Sequence, residues 1–246
     1  MLKDMCTLSF LPTCEGLRIG MNRDEQKSRA TALPPRKLEL DNKFKCLGPT
    51  EPGGGMWIAA GQNGHVFALL NWYSVQSKTH STLTSRGQII PSLIHCTSIP
   101  QLEEGFKTCL KKSFQPFRLI TFMSTKQRCI EWRYDGITLE RLDHPWKNQL
   151  WASSGFCETE AQKIRTETWN QWIKFNQSGQ NKELLDFHRS HHPQKGANSI
   201  CMHREDAETV SYTEIELNKN QCTLHYHEGP PCANNDRSTE TMQILR

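Results

Sequence analysis

Residues Met5-Cys6-Thr7-Leu8-Ser9-Phe10, MCTLSF, open the apolar part of the chain, and a cysteine stands at the head of this short strand-like run. Two readings fit a Met-Cys pair in that place. In one, Cys6 is a buried strand cysteine, a small hydrophobe among others. In the other, the leading MLKD is extra, Met5 is the effective start, and Cys6 becomes the first residue of the working protein. The second reading has a chemical motive. A thiolate attacks a carbonyl carbon once something takes its proton, and a terminal cysteine carries its own base. That base is the free α-amine, with an ordinary pKa of about 7.7–8.0. Such a site needs a cation near the thiolate, a group that orients the amine, and donors for an oxyanion. The expectation is a mature chain that begins at Cys6.

The bulk properties narrow the class. The chain has 246 residues, 36% hydrophobic and 23% charged, which suits one large soluble domain. A net charge of +4 without a basic, aromatic-rich stripe gives no reason to expect nucleic acid as a partner. No window approaches the roughly 18 consecutive apolar residues of a membrane span. The first residues carry no apolar secretory core, so a cytoplasmic location is expected. The ten cysteines then sit in reducing surroundings. They show no CxxC and no regular framework, and they read as buried hydrophobes rather than a disulfide scaffold.

The first third reads as strands and turns. CTLSFL and GLRIGMN form a hairpin around Pro12 and Gly16. TALPPRKL reads as a loop, because Pro34 and Pro35 block regular pairing. EPGGG is a turn leading to a second hairpin, Trp57–Ala60 with His65–Asn71. A helix is expected from Ser85 or Gly87 through QIIPSLIHC, and another over IPQLEEGFKTCLKK. FRLITFM, RCIEWRY and ITLERL make a strand meander, and QLWASSGF a further strand. A longer helix begins near Thr159, which forms a capping box with Gln162. Its apolar face is Ala161, Ile164, Thr168, Trp172 and Phe175, and SGQN ends it. KELLDFHRS is a short helix, ETVSYTEIEL and CTLHYH are the last strands, and the polar tail from about Cys232 reads as frayed. This order suits a mixed α+β layer structure.

Several residues can carry chemistry. GMNRDEQKSR puts Asn22, Arg23, Asp24 and Glu25 directly after an apolar strand. Arg23 and Asp24 point to opposite faces unless the strand bends there. The plain reading is a solvated turn. The functional one has Arg23 holding a thiolate and Asp24 orienting an amine. Asn71 ends an apolar strand, as an oxyanion donor or as a turn cap. His191, His192, Cys201, His203, His225 and His227 gather in the last quarter and are able to hold zinc or haem. Zinc fingers and c-type haem motifs are more tightly spaced, so neither a metal site nor a cofactor is expected. EPGGGMW lacks the Lys-Ser/Thr of a phosphate loop and is read as a turn. Trp57, Trp72, Trp132, Trp151 and Trp172 are assigned to core and pocket wall.

MCTLSF, MNRDEQKSRATALPPR, GGGMWIAAGQNGHVFALLNWY, SRGQIIPSLI and CMHREDAETVSYTEI together resemble the NRDE protein family, which includes the transport and Golgi organisation protein 2 group. The resemblance spans residues 6–232 as one domain and leaves 233–246 as a polar tail. That family is similar to N-terminal nucleophile (Ntn) hydrolases of the cysteine type, such as penicillin V acylase and bile salt hydrolase. The resemblance implies a four-layer αββα sandwich, with Cys6 as nucleophile and Asn71 as oxyanion asparagine. Arg23 and Asp24 fall where the acylases keep an arginine and an aspartate, adjacent here and split by two residues there. A further acylase asparagine falls near Ser153 and Ser154, and a late arginine is either Arg165 or Arg204. The implied activity is hydrolysis or transfer at a linear amide or acyl bond of a small molecule, without a cofactor. The rival class is a non-enzymatic protein that binds and carries haem or a lipid-derived ligand, as eukaryotic relatives suggest.

Overall fold

The structure, a computed structural model, describes residues 5–40, 43–75, 82–155, 157–177, 183–233 and 236–245. Met1–Asp4, and with them the MLKD leader, lie outside the described residues, as does the SGQN stretch. Two antiparallel sheets form the centre. The first holds β1 (Met5–Pro12), β2 (Leu17–Gln26), β10 (Gln149–Ser154), β11 (Ala207–Leu217), β12 (Gln221–Glu228) and β13 (Ser238–Gln243), in the order β10-β1-β2-β11-β12-β13. The second is a meander of β3 (Leu33–Glu39), β4 (Lys45–Thr50), β5 (Ile58–Gly61), β6 (His65–Asn71), β7 (Phe117–Met123), β8 (Arg128–Tyr134) and β9 (Leu139–His144), each strand beside its sequence neighbour.

Period-two alternation decides what each sheet buries. Cys6, Leu8 and Phe10 of β1 and Leu17, Ile19 and Met21 of β2 share one core with Ile58, Val66, Ala68, Ile120 and Phe122 of the second sheet. The Phe10 and Phe122 rings meet at 4.8 Å, a contact worth about 0.5–1.5 kcal/mol beyond area burial. The alternate residues of the second sheet, among them Cys46, Ala59, Phe67 and Leu119, pack against α1 (Ile89–Leu93) and α2 (Ile99–Cys109). Those of the first sheet meet α3 (Glu158–Phe175) and α4 (Leu184–His188): Met5 joins Ala161, and Leu11 joins Trp169 and Phe187.

A buried carboxylate ties the two sheets together beside β10. Glu131, 0% exposed, takes hydrogen bonds from Arg118 at 2.6 Å and Arg133 at 2.7 Å, and pairs with His144 at 2.7 Å. Burial works against its charge, but these partners together hold the carboxyl well below the usual range. Arg118 also donates to the Ala152 carbonyl at 3.2 Å, and Trp151 Nε1 donates to Glu131 at 3.3 Å, which anchors β10.

The structure departs from the sequence reading in three elements. TALPPRKL is no loop: it lies within and around β3, an edge strand with an irregular register between Leu33 and Arg36. Proline is tolerated there because an edge leaves N–H positions without ladder duty. The tail is not frayed, since Ser238–Gln243 pairs along β12 and Met242 is buried in the inter-sheet core. Third, α3 starts one residue earlier than expected, after Cys157, without a side-chain cap, so the Thr159–Gln162 box is not formed. Its buried face is Ala161, Arg165, Thr168 and Trp169, while Phe175 is exposed. Counting apolar residues misses this face because it contains a buried arginine.

Candidate functional site

Antiparallel pairing assembles a row of three residues. Cys6 in β1 lies opposite Arg23 in β2 on one side and Ser153 in β10 on the other. Directly opposed residues share a face of the sheet, so all three look toward the second sheet. Cys6 is 8% exposed. It lines a cavity of about 380 Å³ together with Arg23, Trp57, Asn71, Arg86 and Gln115. Asn71 enters from the last position of β6, on the other sheet, and its Nδ2 donates to the Tyr73 hydroxyl at 2.5 Å.

Arg23 is held from several sides. Its guanidinium lies 4.4 Å from the Trp57 ring centroid and pairs with Glu51 at 2.8 Å and Glu25 at 3.2 Å. Arg29 closes the array, at 2.8 Å from Glu25 and 2.8 Å from Glu51. Two arginines thus alternate with two glutamates, and the positive field of Arg23 at Cys6 is moderated by its carboxylate neighbours. Arg29 and Glu51 were not singled out from sequence, and Glu25 was named there without a role. Glu25 and Arg29 had a local signal, as a charged pair four residues apart. Glu51, just after β4, had none, because it meets Arg23 only across the two sheets.

NRDE is not a solvated turn. Asn22, Arg23, Asp24 and Glu25 are all buried within β2, which runs on without a turn to Gln26. Alternation sends the Asn22 and Asp24 side chains to the face covered by α3 and α4, although Asp24 also borders the Cys6 cavity. Asp24 accepts from Thr209 Oγ1 at 2.6 Å and pairs with Arg165 at 3.3 Å. Arg165, 0% exposed, also donates to Thr7 Oγ1 at 2.7 Å, the Ser199 carbonyl at 2.9 Å and the Cys6 carbonyl at 3.5 Å. The alternative arginine, Arg204, pairs with Asp206 instead and does not line the Cys6 cavity. Of the two serines, Ser153 stands beside Cys6 with its buried Oγ lacking a hydrogen-bond partner, and Ser154 is opposite Met5.

Asn22 Nδ2 donates to the His188 and Ile200 carbonyls, at 2.9 Å each. His188 Nδ1 lies 3.1 Å from Asn22 Oδ1 and its Nε2 lies 2.7 Å from Ser9 Oγ. Asn22 Oδ1 only accepts, so Nδ1 carries the proton and Ser9 donates to Nε2. Complete burial pushes the imidazole down to about 3, with Arg165 adding to the effect. Gly20 leaves the space for this ring, since a Cβ there would sit 2.5 Å from His188 Nε2.

Residues 5–167 match the family described as Transport and Golgi organisation 2. The chain belongs to that family. The matched segment contains Cys6, Arg23, Asp24, Asn71 and Arg165 and ends within α3. No curated protein matches the chain in sequence. Among solved structures it is similar to two point variants of the conjugated bile acid hydrolase from Clostridium perfringens. One has a TM-score of 0.58 at 12% identity, covering 98% of this chain and 97% of that one. The other has 0.57 at 13%, covering 97% and 96%. Penicillin V acylase from Agrobacterium tumefaciens follows at 0.45 and 9%, covering 91% and 82%. The chain therefore has an αβ fold similar to that of the conjugated bile acid hydrolase. Among the described residues, no helix is long and apolar enough to cross a membrane.

Proposed function

We propose that this chain is an N-terminal-cysteine hydrolase or acyltransferase acting on a linear amide or related acyl bond of a small molecule. In this reading the domain from residue 6, with β13 included, forms a four-layer αββα sandwich that works in the cytoplasm, where its thiols stay reduced. The observation that carries the proposal is the shared cavity, in which Cys6, Arg23 and Asn71 converge from three strands of two sheets. Its volume of about 380 Å³ falls in the range of small-molecule sites.

Loss of the residues before Cys6 would free its α-amine. The amine takes the thiol proton, and the thiolate attacks the substrate carbonyl. Arg23 contributes positive field, reduced by Glu25 and Glu51. Asn71 Nδ2 has two N–H groups, and Tyr73 takes one. The other, with a backbone N–H, holds the oxyanion. Collapse breaks the scissile bond, and the ammonium protonates the leaving group. Water, or an acceptor amine, then removes the acyl group from sulfur. Asp24 stands level with Met5 in the β1–β2 ladder, where the liberated amine would lie, and is the group that orients it. Arg165 pairs with that carboxylate and holds it in place.

The test is the intact mass of protein from its native source, paired with turnover. A chain beginning at Cys6 is expected. A retained Met5 leaves an amide where the base should be and removes the mechanism. Cys6→Ser should abolish turnover on a panel of amides and acyl-thioesters while ligand affinity stays near wild type. Absence of wild-type turnover on the whole panel, with tight haem binding unchanged in Cys6→Ser, would instead favour the carrier class.

A further inference from the structure

Beyond the segment matched by the family, four side chains from distant positions meet at one point. His191 comes from the loop after α4, Cys201 and His203 from the stretch leading into β11, and Cys232 from the turn after β12. We propose that His191, Cys201, His203 and Cys232 form a binding site for a tetrahedral divalent metal ion, with zinc the preferred occupant. This inference does not depend on the hydrolase reading.

Geometry is the first argument. The four ligand atoms all lie within 4.8 Å of one another. Zinc bonds of ~2.3 Å to sulfur and ~2.05 Å to nitrogen give a tetrahedron with edges of about 3.3–3.8 Å. Two observed edges already have that length: Cys201 Sγ to His203 Nε2 is 3.6 Å, and His203 Nε2 to Cys232 Sγ is 3.3 Å. The His191 and His203 rings stand 5.1 Å apart at 64°, which lets both aim a nitrogen at a common centre.

The second argument is a missing partner. His191 Nε2 is buried and has no hydrogen-bond partner, an arrangement that costs free energy unless something else satisfies it. A metal ion would. Third, backbone bonds fix the ligands in place. The Cys201 N–H donates to the Ser190 carbonyl at 3.0 Å, and the His203 N–H donates to the Gly196 carbonyl at 3.1 Å. Such outer contacts orient metal ligands.

Two thiolates and two neutral imidazoles around a divalent ion make a neutral, closed site. Binding releases two thiol protons to solvent. With all four positions held by protein, none is open for a substrate, so the role is structural. A tetrahedral set of two sulfurs and two nitrogens favours zinc over harder cations. The loop it would brace is the one whose Ser199 and Ile200 carbonyls hold Arg165 and Asn22. The sequence reading set a metal aside for want of tight spacing. The fold supplies the proximity that spacing does not, and His192, His225 and His227 are not part of the cluster.

The test uses the full chain purified under reducing, chelator-free conditions, given one equivalent of zinc and desalted. Elemental analysis should find about one zinc per chain, against a loss of most of it in His191→Ala and Cys232→Ser. Cobalt in place of zinc should give the intense visible bands of a tetrahedral thiolate site. Zinc should also slow alkylation of Cys201 and Cys232 in the wild-type chain by about tenfold or more, with Cys14 unaffected. This last measurement needs no variant, so a variant that fails to fold does not spare the proposal. Wild-type protein that retains no zinc, or alkylation of Cys201 and Cys232 unchanged by zinc, would overturn it. So would a Cys201–Cys232 disulfide in freshly isolated protein.

Discussion

Strand β2 presents two polar faces, and they are finished differently. Toward α3 and α4, Asn22 and Asp24 are 0% and 1% exposed and end on Arg165, Thr209, His188 and the Ile200 carbonyl, all inside the protein. Toward the cavity, Arg23 and Glu25 are nearly as buried, but their partners are not. The Glu51 side chain is 25% exposed and that of Arg29 44%. Charges on the closed face have fixed partners, and losing one strands the other in a medium that cannot solvate it. Charges on the open face can trade a partner for water or for a ligand group. Attack and oxyanion binding are therefore expected on the open face and stability mainly on the closed one, where Asp24 alone would serve the chemistry by orienting the liberated amine, although the residues alternate within a single strand.

The most severe way to break this contrast is Arg165→Ala. It leaves the Asp24 carboxylate buried without its cation and should cost about 3–5 kcal/mol, read as a fall in urea midpoint, with Arg165→Lys recovering part. A loss below about 1 kcal/mol would mean the closed face is not closed. Next is Asn71→Ala on the open face. Turnover should fall about 100–1,000-fold, or ~2.7–4 kcal/mol of barrier, with little change in stability. An equal drop in stability would place Asn71 with the structural residues.

A third test uses pH. The folded-state pKa of His188 is depressed to about 3 from an ordinary 6.5, so between these values the unfolded chain takes up a proton that the folded chain refuses. Stability from this group is complete above pH 6.5 and declines as the pH falls toward 3. At pH 5 it should be lower than at pH 8 by about 2 kcal/mol. His188 should remain neutral by NMR at pH 5, and a titration near 6.5 would show that the closed face admits water. The smallest effect belongs to Arg29→Ala. Its pairs reach solvent, and the stability change should stay under about 1 kcal/mol. A larger loss would show that the open face is as interlocked as the closed one.

Much of the first sheet and the meander was legible because period-two alternation is a local property. The hairpin of β1 and β2, the turn into β6, and the strands Phe117–Met123 and Arg128–Tyr134 all follow from it. Where local rules gave the wrong answer, a distant partner was the cause. Prolines suggested a loop at β3, but the edge of a sheet tolerates them. The polar segment Ser238–Gln243 reads as a tail until β12 offers it a ladder. Arg165 was absent from the expected buried face of α3 because a hydrophobic count cannot register a guanidinium satisfied by Thr7, Asp24 and Ser199.

By itself the sequence determined the candidates Cys6, Arg23, Asp24 and Asn71, since residue type and position at strand ends are enough to nominate them. It also set the expectation that Arg23 and Asp24 part company unless the strand bends there, because successive strand residues face opposite ways. Only the tertiary structure decided which environment each one entered. It set Arg23 among Trp57, Glu25 and Glu51, chose Arg165 over Arg204 as the partner of Asp24, and gathered His191, Cys201, His203 and Cys232 from positions without a common motif. The physical reason is range. Alternation and turn preference act over a few residues, whereas burial and electrostatic pairing depend on which distant segments the two sheets bring into contact.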